Sequence, residues 1–358
     1  MLKTDVEIFG AGVLGLAIAF ACLRRGASVR VIEKRSVGFG ASGGYIGALA
    51  PHAPDPWNEK KRFQLDSLLG SAAFWKDVEN CSGKNPGYSR AGRLAPLASE
   101  RAIKRARHYS AKALENWGNR ANWKLVQASD CETWAPESPT GWLVFDTLSA
   151  SIHPRRSLLA LASAITNLKG EIVEGRTEGI GSKSTILATG WEGLATLEEE
   201  LGTSLGSGEK GQAALLNFCA RKKPLIYADG LYVVPHDDGT VGIGSTSERS
   251  YALPVATDKR LDSLIRVAVQ TVPCLKDAAV VGRWASIRPR ANSRAPLLGR
   301  HPLRESVYIA NGGFKIGYGI APGVARAMAD LVLDGIDRIP KSFSLESCIS
   351  KSARQTPR

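Results

Sequence analysis

The chain has 358 residues, 44% of them hydrophobic and 23% charged, which is typical of a soluble globular protein of about two domains. The net charge of +13 and the pI of 9.6 permit attraction to acidic partners such as RNA, anionic lipid or anionic substrates. The six cysteines form no CxxC pair, which argues against a disulfide scaffold or a zinc site and favours a reducing, cytoplasmic compartment.

The N-terminal segment has the pattern of a nucleotide-binding strand, turn and helix. An apolar strand over residues 5–9 precedes a glycine fingerprint, and a helix over 16–24 follows it. The apolar run 8–23 is shorter than the roughly 20 residues of a membrane span, and the fingerprint explains its glycines better. The fingerprint consists of Gly10, Ala11, Gly12, Val13, Leu14 and Gly15.

Each glycine of the fingerprint has a physical purpose. Gly10 permits the tight turn, Gly12 lets a pyrophosphate approach the backbone at the helix N-terminus, and Gly15 lets the helix pack closely on the sheet. A second buried strand over 27–33 ends in Glu33, whose carboxylate can accept hydrogen bonds from an adenosine ribose and disfavours NADP. The arrangement predicts a dinucleotide site.

The segment after Glu33 separates FAD from NAD. A plain NAD enzyme has a crossover helix there, whereas this chain has a Gly/Ser-rich loop over 38–51 whose backbone amides can face a phosphate or a ring. We therefore predict FAD as the cofactor. The residues of this region assigned to cofactor binding are Lys34, Ala41, Ser42, Gly43, Gly44, Gly47, Ala48 and Leu49.

A helix-like stretch in the middle of the chain and the C-terminal segment carry much of the excess of positive over negative charge. We interpret the first as a solvated helix face and the segment 350–358 as a mobile basic tail. No basic motif with interleaved aromatic residues supports nucleic-acid binding, so RNA stays a minor alternative. The basic residues of the stretch are Arg101, Lys104, Arg105, Arg107 and Lys112.

A second glycine-rich loop lies near the C-terminus. A buried strand over 307–311 opens into it, a helix is predicted to begin near Ala321 with Pro322 in its first turn, and Gly335 ends that helix. The loop and the helix N-terminus offer backbone donors to an anion, such as the reduced flavin around N1 and its C2 carbonyl. The residues assigned to the cofactor here are Gly312, Gly313, Phe314, Lys315, Gly317, Tyr318, Gly319 and Ile320.

Over nearly its whole length the sequence resembles the D-amino acid oxidase superfamily, and within it the glycine oxidase and sarcosine oxidase branch. Besides the fingerprint and the loop 41–53, the likeness rests on the segments 185–191, 231–235, 285–289 and 296–299. It implies an α/β fold, in which a Rossmann-like domain binds FAD in extended form and a second α+β domain on a large mixed sheet shapes the substrate pocket.

The resemblance also implies domain bounds and site residues. The FAD-binding domain would use residues 1–75, 150–200 and 285–340, and the substrate domain 76–149 and 201–284. Arg288 would bind the substrate carboxylate with its planar fork, and Tyr232 would line the pocket. Ala188, Thr189 and Gly190 would let the backbone pass the cofactor, and no metal is implied.

The chain departs from the family pattern at three places. Lys315 stands where glycine oxidases have an arginine, and it would sit over the flavin, contact the substrate or shape the loop. The segment 285–287 lacks the cysteine that sarcosine oxidases join to the flavin, which implies noncovalent FAD. The connection 174–185 is shorter than the hairpin of relatives, so we name no adenine contacts there.

The predicted function is oxidation of the C–N bond of a small amino acid or secondary amine, by hydride transfer to flavin N5 with oxygen as the acceptor. One alternative is a dehydrogenase that passes electrons to a quinone or protein partner. Others are oxidation of a carboxymethylaminomethyl group on tRNA and a flavin-binding subunit of a larger complex, and homo-oligomers are possible. His52 is interpreted as a structural loop residue rather than a proton shuttle.

Overall fold

A computed structural model describes residues 4–353, with side chains described up to residue 350. The strands in this part of the chain are β1 (Thr4–Phe9), β2 (Val29–Glu33), β3 (Ala48–Leu49), β4 (Arg93–Pro96), β5 (Trp123–Gln127), β6 (Trp142–Asp146), β7 (Ala150–Ser151), β8 (Glu171–Glu174), β9 (Ser182–Leu187), β10 (Gly206–Asn217), β11 (Leu225–Ala228), β12 (Leu231–Pro235), β13 (Thr240–Gly244), β14 (Ala279–Ala291), β15 (Leu297–Arg300) and β16 (Val307–Asn311). The α-helices are α1 (Val13–Arg24), α2 (Glu59–Ser82), α3 (Glu100–Trp117), α4 (Pro154–Asn167), α5 (Gly190–Leu201), α6 (Lys259–Thr271), α7 (Gly317–Asp334) and α8 (Leu345–Ala353).

The first sheet has six strands in the order β15-β16-β9-β1-β2-β8. Its neighbours pair in parallel except for the antiparallel pair β15 and β16. Because parallel neighbours need a crossover connection, α1 carries the chain from the end of β1 back to the start of β2. The carboxyl ends of the parallel strands therefore meet at one edge, which is where open α/β sheets bind ligands.

The first helix, α1, is buried on nearly all sides between this sheet and α7. Leu16, Ile18 and Phe20 are at most 2% exposed, and burial of each such side chain contributes about 1.5–3 kcal/mol. Close packing of α1 depends on Gly15, where an added Cβ would lie 2.0 Å from the carbonyl oxygen of Gly10. The helix ends at Arg24, and Gly26 takes up the positive φ of 84° that turns the chain towards β2.

The second sheet has eight strands in the order β14-β10-β13-β12-β11-β4-β6-β5. The pair β11 and β4 is parallel and the other neighbours are antiparallel, so this is the large mixed sheet that the resemblance implies. Its core includes Leu216, Val233 and Ile243, and α6 covers that face through Leu261. The two sheets together confirm the predicted fold class.

Most predicted elements are present with small shifts in their ends. The strands predicted at 5–9, 27–33 and 307–311 are β1, β2 and β16, and the predicted hairpin is the antiparallel pair β12 and β13. The basic stretch lies on α3, where Arg101, Lys104 and Arg107 are exposed, as a solvated helix face would be.

The start of α7 was predicted wrongly. The helix begins at Gly317 instead of near Ala321, so Pro322 lies inside it. The two glycines at its start have low helix propensity, but the Ile316 N–H bonds the Gly313 carbonyl and the Ile320 N–H bonds the Ile316 carbonyl, which starts the helix early. Gly335 ends the helix as predicted, with a φ of 71°.

Two further segments differ from expectation. Residues 285–291 form the end of β14 and pair with β10 in the larger sheet, although the sequence groups them with the FAD-binding segments. The predicted connection 174–185 is shorter in the structure, because β8 ends at Glu174 and β9 begins at Ser182; the two strands are not paired with each other, and β8 pairs with β2 and β9 with β1.

The basic tail was predicted over 350–358. Helix α8 extends to Ala353, so the first residues of this segment are helical. Residues 354–358 lie outside the described part of the chain. Among residues 4–353, no helix combines the length and the apolar character that crossing a membrane requires.

Candidate active site

One large cavity of 1470 Å³ runs from the carboxyl edge of the six-stranded sheet to the eight-stranded sheet. Segments from both ends of the chain line it. Of the residues predicted to bind the cofactor, those in the cavity wall are Gly10, Ala11, Gly12, Val13, Leu14, Glu33, Lys34, Ala41, Ser42, Gly44, Ala48, Ala188, Thr189, Gly190, Gly313, Phe314, Lys315, Gly317 and Tyr318. The predicted catalytic residues Tyr232, Arg288 and Lys315 line the same cavity.

The remaining predicted cofactor residues lie outside the cavity wall, and their assignment to the cofactor stays a prediction. An added Cβ at Gly43 would lie 2.0 Å from the Gly38 carbonyl oxygen, and one at Gly47 would lie 1.9 Å from that of Ile152. These glycines hold the loop close to its neighbours. The residues outside the wall are Gly15, Gly43, Gly47, Leu49, Gly312, Gly319 and Ile320.

The N-terminus of α1 faces the cavity without a side-chain cap. Its N-cap residue is Gly12, and the Val13 N–H donates to Ser42 Oγ at 3.0 Å. The turn before it requires glycine, because Gly10 has a φ of 104° and an added Cβ would lie 2.3 Å from the Ala188 carbonyl oxygen. Uncapped N–H groups at a helix start attract an anion. This geometry suits a diphosphate.

The Glu33 carboxylate lies in the cavity wall at the end of β2. One oxygen accepts from the Ala11 N–H at 2.8 Å and the other from the Arg35 N–H at 2.9 Å. Each carboxylate oxygen keeps further acceptor capacity for a ligand hydroxyl. Lys34, next in the chain, pairs with Glu192 at 3.2 Å, so its charge is partly neutralised by the protein.

Two cavity residues on the predicted adenine side were missed by the sequence reasoning. Arg176 and Thr177 lie in the wall, in the short connection between β8 and β9. The first turn of α5 adds Trp191 and Glu192. A short polar connection after a parallel strand was the available signal, because such connections cluster at the carboxyl edge of the sheet.

The second helix start at the cavity is that of α7. Its N-cap residue Ile316 makes no side-chain cap, and Gly317 lines the wall. The Tyr318 hydroxyl lies 2.8 Å from the Ser42 carbonyl oxygen, which joins the C-terminal segment to the N-terminal loop. Phe314 has a φ of 41°, an uncommon conformation for a bulky side chain that the surrounding structure holds in place.

Arg288 lies on β14 with 6% of its surface exposed. One terminal nitrogen donates to Ser245 Oγ at 2.5 Å, and the other donates to the Thr246 carbonyl at 2.7 Å and lies 3.7 Å from Glu209. Its Nε–H donates to no group within residues 4–353. Both terminal nitrogens therefore have protein partners, and the Nε–H is buried without one. Burial lowers the pKa of Arg288.

Lys315 and Phe314 lie beside Arg288 at the same end of the cavity. The Arg288 guanidinium lies 5.5 Å from the centre of the Phe314 ring, and Lys315 Nζ lies 5.6 Å from it. Lys315 Nζ also donates to Ser247 Oγ at 2.6 Å. Desolvation, and then the charge of Arg288, lower the pKa of Lys315. Two cationic groups thus face this part of the cavity.

Tyr232 stands opposite Tyr227 on neighbouring strands, with ring centres 4.7 Å apart. Burial raises the pKa of the Tyr232 hydroxyl, and the nearby Arg93 opposes that rise. Arg93 itself pairs with the fully buried Asp146 at 2.8 Å. Tyr227 and Arg93 line the cavity with Tyr232, and the sequence reasoning did not identify either.

The residues present fit FAD. The cavity presents two helix starts whose N-cap residues provide no side-chain cap, one for a diphosphate and one for an electron-rich ring, and glycine at position 12 leaves the first approachable. None of the six cysteines, all free, is in the cavity wall, which agrees with a noncovalently held cofactor.

Comparison with known proteins gives relatives along the whole chain. The glycine oxidase of Pseudomonas aeruginosa is 32% identical over 92% of this chain and 95% of its own. That of Geobacillus kaustophilus is 26% identical over 92% and 93%. The bifunctional protein ThiO/ThiG of Synechocystis sp. is 27% identical, and the chain spans about half the length of that relative, 52%.

Solved structures show the same fold. The glycine oxidase of Geobacillus kaustophilus superposes with a TM-score of 0.84 at 22% identity, over 96% of this chain and 99% of that one. An iminodiacetate oxidase from Chelativorans sp. has a TM-score of 0.82 at 20% identity, over 95% and 98%. A family model described as FAD dependent oxidoreductase (DAO) matches residues 5–331. The chain therefore belongs to the DAO family of FAD-dependent oxidoreductases.

Proposed function

We propose that this protein uses FAD to oxidise the C–N bond of a small amino acid or secondary amine and passes the electrons to oxygen. The observation that carries the proposal is the pair of cationic groups, Arg288 and Lys315, in the same cavity wall as the start of α7. Such a pair suits a carboxylated substrate. The glycine oxidases among the relatives, which match the chain almost end to end, support the same chemistry.

Each side chain has a separate part in this proposal. Arg288 binds the substrate carboxylate through its remaining donors, and the Tyr232 hydroxyl adds a hydrogen bond, which together fix the α-carbon. Lys315 adds positive charge at the rim, and as a point charge it is less selective in geometry than an arginine. Bound FAD supplies the two-electron oxidant for the α-carbon.

We also propose the domain organisation and the compartment. The six-stranded and eight-stranded sheets would be the cores of the FAD-binding and substrate domains, with the C-terminal boundary after β14, near 291, instead of before 285. The six free cysteines support a reducing, cytoplasmic setting. The structure describes one chain, and we keep homo-oligomerisation as part of the proposal.

The test is anaerobic flavin bleaching by a panel of amines. The holoprotein should lose its flavin colour with at least one of glycine, sarcosine, a D-amino acid or a dicarboxylic imino acid, and recover it quickly in air. No bleaching with the whole panel would overturn the proposal.

The rival functions have their own outcomes. Bleaching followed by slow recovery in air would favour a dehydrogenase that uses a quinone or protein partner. Binding of tRNA at moderate salt, where nonspecific phosphate contacts are weak, would favour action on a modified tRNA base. Inactivity of a yellow, well-folded chain would favour a subunit that needs a larger complex.

A further inference from the structure

His52 is held by Gln64, a 2% exposed residue of α2. Gln64 Oε1 accepts from the His52 backbone N–H at 3.0 Å and lies 2.6 Å from His52 Nδ1. Gln64 Nε2 donates to the Ala50 carbonyl oxygen at 3.0 Å. A backbone N–H can only donate and a carbonyl can only accept, so the Gln64 amide has one possible orientation here.

That orientation fixes the tautomer of His52. Because Gln64 Oε1 is an acceptor, His52 Nδ1 must carry the hydrogen, and Nε2 is left with a lone pair. Nε2 has no hydrogen-bond partner within residues 4–353, and it is not among the buried polar atoms that lack one. His52 is one of the residues of the cavity wall.

His52 lines the same cavity as Arg93 and Tyr232. Arg93, which neighbours Tyr232, is close enough to act on the charge of His52. The other charges that act on the imidazole are also positive, namely Lys60 and Lys61 of α2. Burial lowers the pKa of His52 below its usual value; the hydrogen bond to Gln64 opposes this shift and the three positive charges add to it, so the ring is neutral at neutral pH.

We propose that His52 Nε2 accepts a hydrogen bond from the substrate nitrogen and takes its proton when the substrate arrives as an ammonium ion. This inference rests on the proposed function. The N–H bond of the ammonium breaks and an Nε2–H bond forms, which leaves a neutral amine and an imidazolium ion. Bound FAD would supply the two-electron oxidant that takes the hydride of the α-carbon, and the imidazolium would return its proton to water after the imine has left.

The substitution His52→Asn removes this lone pair selectively. The asparagine amide can still donate to Gln64 from a position near that of Nδ1, but it has no atom in place of Nε2. Near pH 7 we expect His52→Asn to slow anaerobic flavin reduction about 10²-fold, and above the pKa of the free amine, near pH 10, the loss should largely disappear. His52→Gln, which can place an acceptor near Nε2, should be faster than His52→Asn.

Flavin content and melting temperature of the variants are the controls. Equal reduction rates for His52→Asn and wild type would overturn the inference, as would a slowing that is the same at every pH, because that is what a merely structural residue gives. A wild type that no amine reduces would refute the proposed function and not the role of His52.

A second readout needs no turnover and no variant that must fold. Long-range ¹H–¹⁵N spectra of the histidine-labelled holoprotein near pH 7 should show His52 as the neutral Nδ1–H tautomer. An Nε2–H tautomer or an imidazolium at that pH would contradict the inference.

Discussion

At the scale of single residues, Arg288 both makes hydrogen bonds to neighbouring protein groups and lines the cavity. Its guanidinium lies over Gly211, where an added Cβ would come within 2.6 Å of Arg288 Cζ, so β10 leaves room for it. The segment 245–247 holds the terminal nitrogens. Burial without a full set of partners costs free energy, and an anionic ligand would offset part of that cost.

We expect Arg288→Ala to raise KM for carboxylated substrates at least about tenfold, or about 1.4 kcal/mol, because a charge-assisted hydrogen bond is lost. Steady-state kinetics on the bleaching substrate measure this. Arg290→Ala is the matched control, since Arg290 lies on the same strand and also faces Phe314, but is not in the cavity wall. An unchanged KM in Arg288→Ala would mean that another group binds the carboxylate.

Gly12 offers a second test at this scale. An added Cβ would lie 3.2 Å from Ser42 Oγ and would stand at the start of α1, where the diphosphate approaches. We expect Gly12→Ala to weaken FAD affinity at least about tenfold with little change in apoprotein stability, as judged by flavin titration and thermal unfolding. Gly70→Ala, at an exposed α2 position with no atom within 4 Å, is the control. Equal affinities would place the diphosphate elsewhere.

At the scale of elements, the N-terminus of α4 meets the turn between β12 and β13 through a buried pair of histidines. The rings of His153 and His236 lie 4.6 Å apart, and His153 Nε2 lies 3.3 Å from Asp238. The nitrogen and oxygen atoms of His153, His236 and Asp238 that could bind a metal ion lie within 4.8 Å of one another. His153 Nδ1, however, accepts from the Arg156 N–H, so Nε2 carries the hydrogen and faces Asp238 as a donor.

This cluster predicts a loss of stability in mild acid. Burial lowers the pKa of His236 to about 3, against about 6.5 in an unfolded chain. Between these values the unfolded state binds a proton that the folded state does not. The contribution of His236 to the free energy of unfolding is therefore fully present above about pH 6.5. Below that pH the free energy of unfolding decreases by up to about 1.4 kcal/mol per pH unit because of this group. Urea unfolding at several pH values should show that the free energy of unfolding depends less steeply on pH in His236→Gln than in the wild type. The same pH dependence in both proteins would contradict the account.

The strands and helices also show which parts of the fold could be predicted from the sequence. β1, β2 and β16 were predictable because buried runs of Val, Ile and Phe next to glycine turns are typical of parallel strands. The start of α7 was not, because Gly317 and Gly319 are poor helix formers and the deciding contacts are local turns and the distant Tyr318–Ser42 bond. Likewise, β14 continues past 285 because β10 pairs with it, which the sequence of β14 does not reveal.

At the scale of the whole molecule, the site is made by segments that are far apart in sequence. The fingerprint, the loop at 41–44, the end of β9 and the start of α7 meet in one wall, as the glycines of both ends predicted. Arg93 and Tyr227 were not identified from the sequence, and His52 was interpreted as a structural loop residue, because the bond that orients it joins the loop after β3 to Gln64 of α2. The exposed residues Arg101, Lys104 and Arg107 of α3 lie outside this wall, whereas Arg105 of the same helix is part of it.

The central claim is that both ends of the chain bind one noncovalent flavin dinucleotide. The most direct measurement is to denature the purified holoprotein with acid, separate the pellet, and identify and quantify the flavin in the supernatant. We expect about one FAD for each chain, all of it in the supernatant, since the cavity offers one diphosphate site and no cysteine. A protein that stays colourless when FAD is added, or a flavin that remains with the pellet, would contradict the account.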